Sequence, residues 1–359
     1  MKIAFIIPSL SNNGPNVFTK ILIEALYKFS FGLDLDITVF YFSNKGNHLI
    51  EFPCDTVKLN FFEQRSWDDF DIVHTTMLKA DLYAALNIVG KNKVKVISGI
   101  HNEIKKDLLL QYGWAKATIF YWLWRWSLKN INNVVVSSSS MKDMYQLEYK
   151  LDLRYTLIPY GISKRCDEYN QVADEFEILN KLSSQYTIIG SCGLLIPRKG
   201  FEQLISFLVS NPTYAVVIVG DGPEKEKLKN MANIYNVDNR FYILGFKDNS
   251  VSYYKYFDIY ALTSYSEGFG LAMLDALSFS IPLVCSDLDI YKGFFDRSNV
   301  GLFTPSDISS LERSILEISK NIDYYKICSN NLYEKHFTHD SMAKNHLAMY
   351  KRLGMESQE

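Results

Sequence analysis

Short, continuous apolar runs alternate with longer amphipathic segments along this chain, and that alternation limits the fold more than any other feature. Lys2–Ile7 is apolar at nearly every position rather than at every second one, the pattern of a strand covered on both faces by helices. After the polar loop Ser9–Asn13, Gly14-Pro15 opens a segment in which Val17, Phe18, Ile21, Leu22 and Ala25 recur at helical spacing. Further strands are predicted over Ile37–Phe42, Thr56–Leu59, Phe70–His74, Lys93–Ser98, Asn133–Ser137 and Tyr155–Pro159. Helices are predicted over about Ala80–Val89, Trp114–Lys129 and Ser140–Glu148. Strand, helix, strand at such intervals predicts a parallel sheet.

A charged, patternless stretch from Ser163 to Glu177 interrupts this series, and a second one follows. Strands are expected over Tyr186–Ser191, Tyr214–Val219, Phe241–Leu244, Ile259–Thr263 and Leu283–Cys285, with helices over Phe201–Val209 and Gly270–Leu277. At 359 residues the chain is too long for one comfortable core and suits two. The expected architecture is α/β: a first α/β domain over 1–162, a linker over 163–180, a second α/β domain over 181–335, and a helix over 336–359. The apolar pattern of that helix leaves open whether it packs on its own domain or crosses back to the first.

Apolar residues make up 48% of the chain and charged residues 22%, which excludes global disorder and a fibrous repeat. A formal net charge of -2 supplies no broad basic field, so nucleic acid is not an expected partner. The five cysteines (Cys54, Cys166, Cys192, Cys285 and Cys328) form no Cys-x-x-Cys pair and read as free thiols of a reducing compartment. The opening apolar run stops at Pro8, too early for a secretory leader, and no run reaches the length of a spanning helix. A cytoplasmic protein is expected, with membrane contact at the inner surface only. Trp114–Lys129 bears on that contact, since it holds four of the five tryptophans with Lys116, Arg125 and Lys129 interspersed. Its aromatics go nearly all round the helix, which favours core packing over attachment to a bilayer surface.

The strongest local signal is Ser264-Tyr265-Ser266-Glu267-Gly268-Phe269-Gly270, set between a buried strand and a helix. Ligands of open parallel sheets bind beyond the carboxyl ends of strands. Gly268 and Gly270 would admit close backbone approach, and the following helix, starting near Gly270, offers unpaired N–H groups to an anion. Glu267, itself an anion, suits ligand hydroxyls, or alternatively caps the turn. Asp275, eight residues on, is expected on roughly the same side. Gly220-Asp221-Gly222-Pro223 is a second glycine turn after a strand, in which Asp221 and Pro223 read as structural and Gly220 as a close-approach position. Arg198 and Lys199 lie in the loop from Gly193 to Gly200, where charge-assisted bonds to a diphosphate are worth roughly 1.5–3 kcal/mol each. In the first domain, Gly14 ends a polar loop and His101 follows a strand at the same kind of edge. No His-rich metal motif occurs, and the pairs Asp34/Asp36 and Asp287/Asp289 read as solvated turns, so no metal site is expected.

Together these segments resemble the retaining glycosyltransferase family 4, whose members have the GT-B fold of two facing Rossmann-like domains with an inter-domain cleft. The most specific part is Glu267-Gly268-Phe269-Gly270 with Asp275-Ala276, where the family carries a second Glu in place of Asp275. The resemblance implies that Glu267 faces the hydroxyls of the transferred sugar and that Asp275 accepts from the nucleotide ribose. Lys199 matches the family's diphosphate-binding lysine, while Leu194 replaces its usual arginine. Pro159-Tyr160-Gly161-Ile162-Ser163 resembles the family's Pro-Asn-Gly-Ile-Asp. Gly14 matches the glycine loop near the donor phosphate, His101 the first-domain histidine near the reacting sugar, and Gly245-Phe246 the region that packs the base.

The function this implies is transfer of a hexosyl unit, with retention, from a nucleotide-diphosphate sugar to a glycan or lipid-linked glycan in surface polysaccharide synthesis such as capsule or O-antigen assembly. UDP is the expected nucleotide. Lys199 and the amides from Gly268 to Leu271 would take up charge as the sugar–phosphate bond breaks, with no cofactor and no divalent metal required. Two other classes fit the same architecture: a catalytically weak nucleotide-binding partner of another transferase, supported by Leu194 and Asp275, and a UDP-sugar 2-epimerase.

Overall fold

The computed structural model describes residues 1–30, 34–44, 49–164 and 174–355. His48, Cys166 and residues 165–173 of the expected linker lie outside the described residues. Two units emerge, Met1–Ile162 with Thr338–Glu359, and Ser163–Phe337.

In the first unit, β1 (Lys2–Ile7), α1 (Gly14–Phe29), β2 (Asp36–Tyr41), β3 (Asp55–Lys58), β4 (Ile72–Thr76), α2 (Met77–Asn87) and β5 (Lys95–Gly99) follow one another. Then come α3 (Ile104–Asn130), β6 (Asn133–Val136), α4 (Ser139–Asp143), which runs on into a π-helical turn over Met144–Glu148, and β7 (Tyr155–Leu157). The seven strands lie in the order β3-β2-β1-β4-β5-β6-β7 and all pair parallel. Five of the six β1 residues are buried, as a strand with helices on both faces requires. Asn13 caps α1 by accepting from the Asn16 N–H at 3.1 Å. Gly113, at φ +71°, breaks α3 into two helices.

The second unit runs α5 (Asp174–Ser183), β8 (Thr187–Cys192), α6 (Glu202–Ser210), β9 (Tyr214–Val219), α7 (Lys225–Ile234), β10 (Phe241–Ile243) and β11 (Ile259–Leu262). It continues through α8 (Leu271–Ser278), β12 (Leu283–Ser286), β13 (Gly301–Phe303), α9 (Ile308–Lys320) and α10 (Ile322–His336). The sheet order is β10-β9-β8-β11-β12-β13, again parallel throughout. Each order reverses once, between β1 and β4 and between β8 and β11, and these are the topological switch points of doubly wound sheets. The core beneath the second sheet joins Leu204, Ile205 and Leu208 of α6 to Ile189, Val216 and Ile218 of the strands and to Leu311 and Ile315 of α9. Each such side chain contributes roughly 1.5–3 kcal/mol by leaving water.

The last helix, α11 (His339–Met355), belongs to the first unit. Its seat explains Pro159-Tyr160-Gly161-Ile162. A Cβ on Gly161 would lie 2.2 Å from the Thr338 carbonyl oxygen, so only glycine allows this approach. The Gly161 N–H donates to Met342 Sδ at 3.2 Å, and the His339 N–H to the Ile162 carbonyl at 2.9 Å.

Three expectations need correction. Helix α5 occupies the end of the expected linker; its spacing was obscured by the charges around it. The strand β13 is not predicted because Gly301, a residue depleted in strands, interrupts its short apolar run. The aromatic helix is not a core helix. Of its four tryptophans only Trp124 is buried, donating Nε1–H to Asp81 at 2.5 Å, whereas Trp114, Trp122 and Trp126 are exposed together with Ile119. Aromatics can surround a helix without all being covered when one flank faces solvent. Among the described residues no helix is long and apolar enough to cross a membrane.

Candidate active site

In the second unit the site grows from loops at the carboxyl ends of β8, β9, β10 and β11. After β8, the loop from Gly193 ends in a 3-10 turn over Pro197–Lys199 that stops at Gly200, φ +64°. A Cβ on Gly200 would lie 2.3 Å from the Thr263 carbonyl oxygen, so this loop and the end of β11 touch through backbone. Gln203, buried, locks them: its Nε2 donates to the Gly200 and Thr263 carbonyls at 3.1 and 2.8 Å, and its Oε1 accepts from the Ser306 N–H at 2.8 Å. The Thr263 hydroxyl adds a bond to the Lys199 carbonyl at 2.9 Å.

That frame brings Lys199 to Glu267. Lys199 Nζ and the Ser264 hydroxyl both donate to Glu267 Oε1 at 2.5 Å, and Arg198 Nη1 stands 4.0 Å from Oε2 while donating to the Ser266 carbonyl at 3.0 Å. The Glu267 side chain is only 5% exposed and that of Lys199 16%, so this is a nearly buried ion pair with an open cationic side. Beneath it lie Tyr260, Tyr291 and Cys285, all buried groups whose ionisation burial opposes first and the Glu267 charge opposes further.

The glycines around it are held by contact. A Cβ on Gly220 would fall 1.8 Å from the Gly193 carbonyl oxygen, and the Gly220 N–H donates to the Gly245 carbonyl at 2.9 Å. Thus the ends of β8, β9 and β10 approach as bare backbone. Asp221 accepts from the Gly222 N–H and from Lys225 Nζ, each at 2.8 Å, which makes it a turn and helix-start residue. Phe246, beside Gly245, is 46% exposed.

From Glu267 the chain passes Gly268 to Phe269, whose ring is buried against Tyr291, Phe294 and Phe337 while its carbonyl accepts from the Tyr291 hydroxyl at 2.8 Å. Only backbone is left there for a ligand. Gly270 takes the left-handed conformation at φ +89° and starts α8, which no side chain caps. The expectation that Asp275 shares a helix side with Glu267 therefore fails in its reasoning, because helical rotation begins only at Leu271. Asp275 lies half-buried a turn further along α8 and acts on Cys192 and Tyr254, adding to the burial that lifts the Cys192 thiol to about 12.

In the first unit, Gly14 is the first residue of α1, and space lies open where a Cβ would stand. The preceding loop is tied down by buried Asn16, whose Nδ2 donates to the Ser9 and Ser11 carbonyls at 2.8 Å each. His101 Nδ1 is hydrogen-bonded to the Tyr160 hydroxyl, and its Nε2 would lie 3.2 Å from a Cβ on Gly99, as would that of His74. His74 and His346 stack at 6.0 Å, and His74 Nδ1 bonds the Tyr350 hydroxyl at 2.7 Å. Sequence alone gave His74 no neighbours and took Tyr160 as a mere departure. His74 reaches His101 through the pairing of β4 with β5, Tyr160 follows β7, and only His346 comes from α11 as it returns to this unit.

Burial, with a contribution from His346, lowers His101 to about 3; burial lowers His346 to about 4 and His74 well below its ordinary value. All three imidazoles are neutral at physiological pH. In the unfolded chain they titrate near 6.5, so below that pH the unfolded chain binds protons that the native state refuses, and stability falls until the folded values are reached. Asp81 acts oppositely. Burial raises it to about 6 against bonds from Thr75 and Trp124, and it adds stability as pH falls through that value.

Comparison with known proteins decides which family the chain belongs to. The family of glycosyl transferases group 1 matches residues 174–335, and glycosyltransferase family 4 matches residues 37–164. This chain is a glycosyltransferase of the family 4, GT-B type. The O-antigen biosynthesis glycosyltransferase WclY of Escherichia coli is 25% identical over 99% of both chains. A UDP-Gal:alpha-D-GlcNAc-diphosphoundecaprenol alpha-1,3-galactosyltransferase of the same species is 23% identical over 70% of this chain and 67% of its own. The structure of Anabaena Alr3699/HepE in complex with UDP superposes with a TM-score of 0.77 at 16% identity, covering 98% of this chain and 100% of that one, a likeness of fold.

Proposed function

We propose that this glycosyltransferase moves a hexosyl unit from a UDP-sugar to a glycan or lipid-linked glycan during surface polysaccharide synthesis of the O-antigen kind. The reading rests on one juxtaposition. At the β8/β11 switch point an ammonium, Lys199, is held by a nearly buried carboxylate three residues ahead of an uncapped helix start at Gly270. Helix N-termini and ammonium groups at such an edge favour a diphosphate. WclY supports the O-antigen assignment, the diphosphoundecaprenol enzyme supports a lipid-linked acceptor, and the UDP complex of HepE supports the nucleotide.

In this reading Lys199 and the first amides of α8 stabilise the negative charge that grows on the leaving diphosphate. Glu267, fixed by Lys199 and Ser264, accepts from the sugar hydroxyls. Gly220, Gly245 and Phe246 border the nucleotide, and Asp275 reaches toward its ribose. Gly14 leaves room for a phosphate, while His101, neutral and held through Nδ1, orients the transferred sugar. Transfer proceeds with retention: the anomeric carbon–oxygen bond to phosphate breaks, the acceptor oxygen bonds on the same face, and its proton passes to the departing phosphate oxygen. Protein-borne positive charge makes a divalent ion unnecessary. The exposed Trp114, Ile119, Trp122 and Trp126, with Lys116 and Lys129 beside them, suit peripheral contact with an anionic bilayer.

The test is a donor panel read by thermal shift and by slow donor hydrolysis in EDTA. UDP-sugars should stabilise the protein and release UDP, and GDP- and ADP-sugars should not. Preference for another nucleotide would reject the donor assignment, and release only after adding a divalent ion would reject the metal-free mechanism.

A further inference from the structure

An open surface hollow of about 380 Å³ lies in the first unit beyond the carboxyl ends of β2 and β3, apart from the residues assigned above. Its walls are Phe42, Lys58, Asn60, Phe61, Glu63 and Lys79. The strand pairing Tyr41↔Lys58 brings Phe42 and Lys58 to the same edge, and the Leu59 N–H closes on the Tyr41 carbonyl at 2.7 Å. Beyond it the chain turns sharply: the Glu63 N–H donates to the Asn60 carbonyl at 3.1 Å, and the Asn60 N–H donates to Glu63 Oε2 at 3.3 Å. The rings are fixed as well, since Phe42 and Phe61 pack on Tyr83 at 5.4 and 5.8 Å and on each other at 5.9 Å.

Two ammonium groups line this hollow. Lys79 stands 4.7 Å from the centre of the Phe42 ring, and Lys58 ends β3. Among the described residues neither is joined to a carboxylate. Glu63, the one acid in the wall, is turned onto its own loop. Met77, the first residue of α2 and two before Lys79, is held at φ +69°, a conformation rare for a residue with a side chain.

We propose that this cavity binds an anionic saccharide unit of the acceptor, its charged group on Lys58 and Lys79 and its ring on Phe61. Aromatic faces take the C–H side of a sugar ring, and paired ammonium groups take a phosphate or carboxylate. β3 lies two strands from β1, about 10 Å at the usual strand spacing. The bound unit is therefore not the one reacting near Gly14 but a neighbour along an extended acceptor. The charge has two sources, a phosphate linking the glycan to its carrier or an acidic sugar within the glycan. This inference rests on the transferase reading and names the chemistry of its acceptor.

The experiment titrates the full chain, with its nucleotide site saturated by UDP, against glucose 1-phosphate, glucuronate, inorganic pyrophosphate and methyl glucoside, followed by ligand-observed NMR. Glucose 1-phosphate or glucuronate should bind at least about tenfold more tightly than methyl glucoside, a difference of about 1.4 kcal/mol. Lys58→Ala with Lys79→Ala should abolish that margin, and Phe61→Ala should weaken the sugars while leaving pyrophosphate unchanged. All three side chains border solvent, and matching thermal midpoints would confirm folding. A preference for phosphate points to the carrier linkage, and one for carboxylate to an acidic sugar. Methyl glucoside binding as tightly as the charged probes, or no loss in the double variant, overturns the proposal. Failure of UDP to bind at all would instead reject the donor assignment.

Discussion

Replacing Lys199 by alanine should destabilise the second unit before it affects any ligand, because Glu267 is 5% exposed and would keep its charge without its nearest cation. Removing one partner of a buried pair costs about 3–5 kcal/mol. The lower end applies, since Ser264 still donates and the Arg198 guanidinium, at 4.0 Å, can close in. The unit spans Ser163–Phe337, and at that size each kcal/mol moves the midpoint by about 2–4 °C, so about 3 kcal/mol becomes about 6–12 °C. Glu267→Gln should cost about 1 kcal/mol, because an amide oxygen still accepts from Ser264 while Lys199 can turn to solvent. In the double variant no buried charge is stranded, and its loss should be near that of Glu267→Gln alone, giving a coupling of about 2–3 kcal/mol. Urea and thermal unfolding of the four proteins measure this cycle. Additivity within about 0.5 kcal/mol would refute the pair.

From pH 7.5 to 5.5 the three neutral imidazoles of the first unit should each withdraw about 1.4 kcal/mol and Asp81 return about 0.8, a net loss of about 3 kcal/mol by urea unfolding. His346→Gln should flatten that slope by a little under half, and a flat wild-type profile would contradict the buried cluster. Gly220→Ala should cost about 3 kcal/mol or more through its collision with the Gly193 carbonyl, whereas Gly14→Ala, entering open space, should leave the thermal midpoint unchanged and lower turnover; the reverse pattern would misplace both. Trp122→Ala with Trp126→Ala should reduce sedimentation with anionic vesicles severalfold without changing stability, and equal sedimentation would remove α3 from any bilayer contact.

Much of this was legible because buried parallel strands carry their signal in single runs. Lys2–Ile7 and Tyr214–Val219 agree with the structure residue for residue, and the loops holding Lys199 and Glu267 follow strands as expected. What the sequence hid depends on contacts between distant residues. Gln203 looks like an ordinary helical residue, yet it ties three loops together. His346 joins His101 only when α11 folds back, and the exposure of Trp122 depends on which flank of α3 finds a partner. The Lys58–Lys79 hollow had no motif at all, because its two cations come from elements that are not adjacent in sequence.

The central claim is that Lys199 and the start of α8 receive a nucleotide diphosphate. A crystal structure of the chain with UDP tests it most directly. The diphosphate oxygens should lie within hydrogen-bond distance of Lys199 Nζ and of the backbone N–H groups at Leu271 and Ala272, with Glu267 still bonded to Ser264. A diphosphate bound elsewhere, or held to protein carboxylates through a divalent ion, would contradict the account.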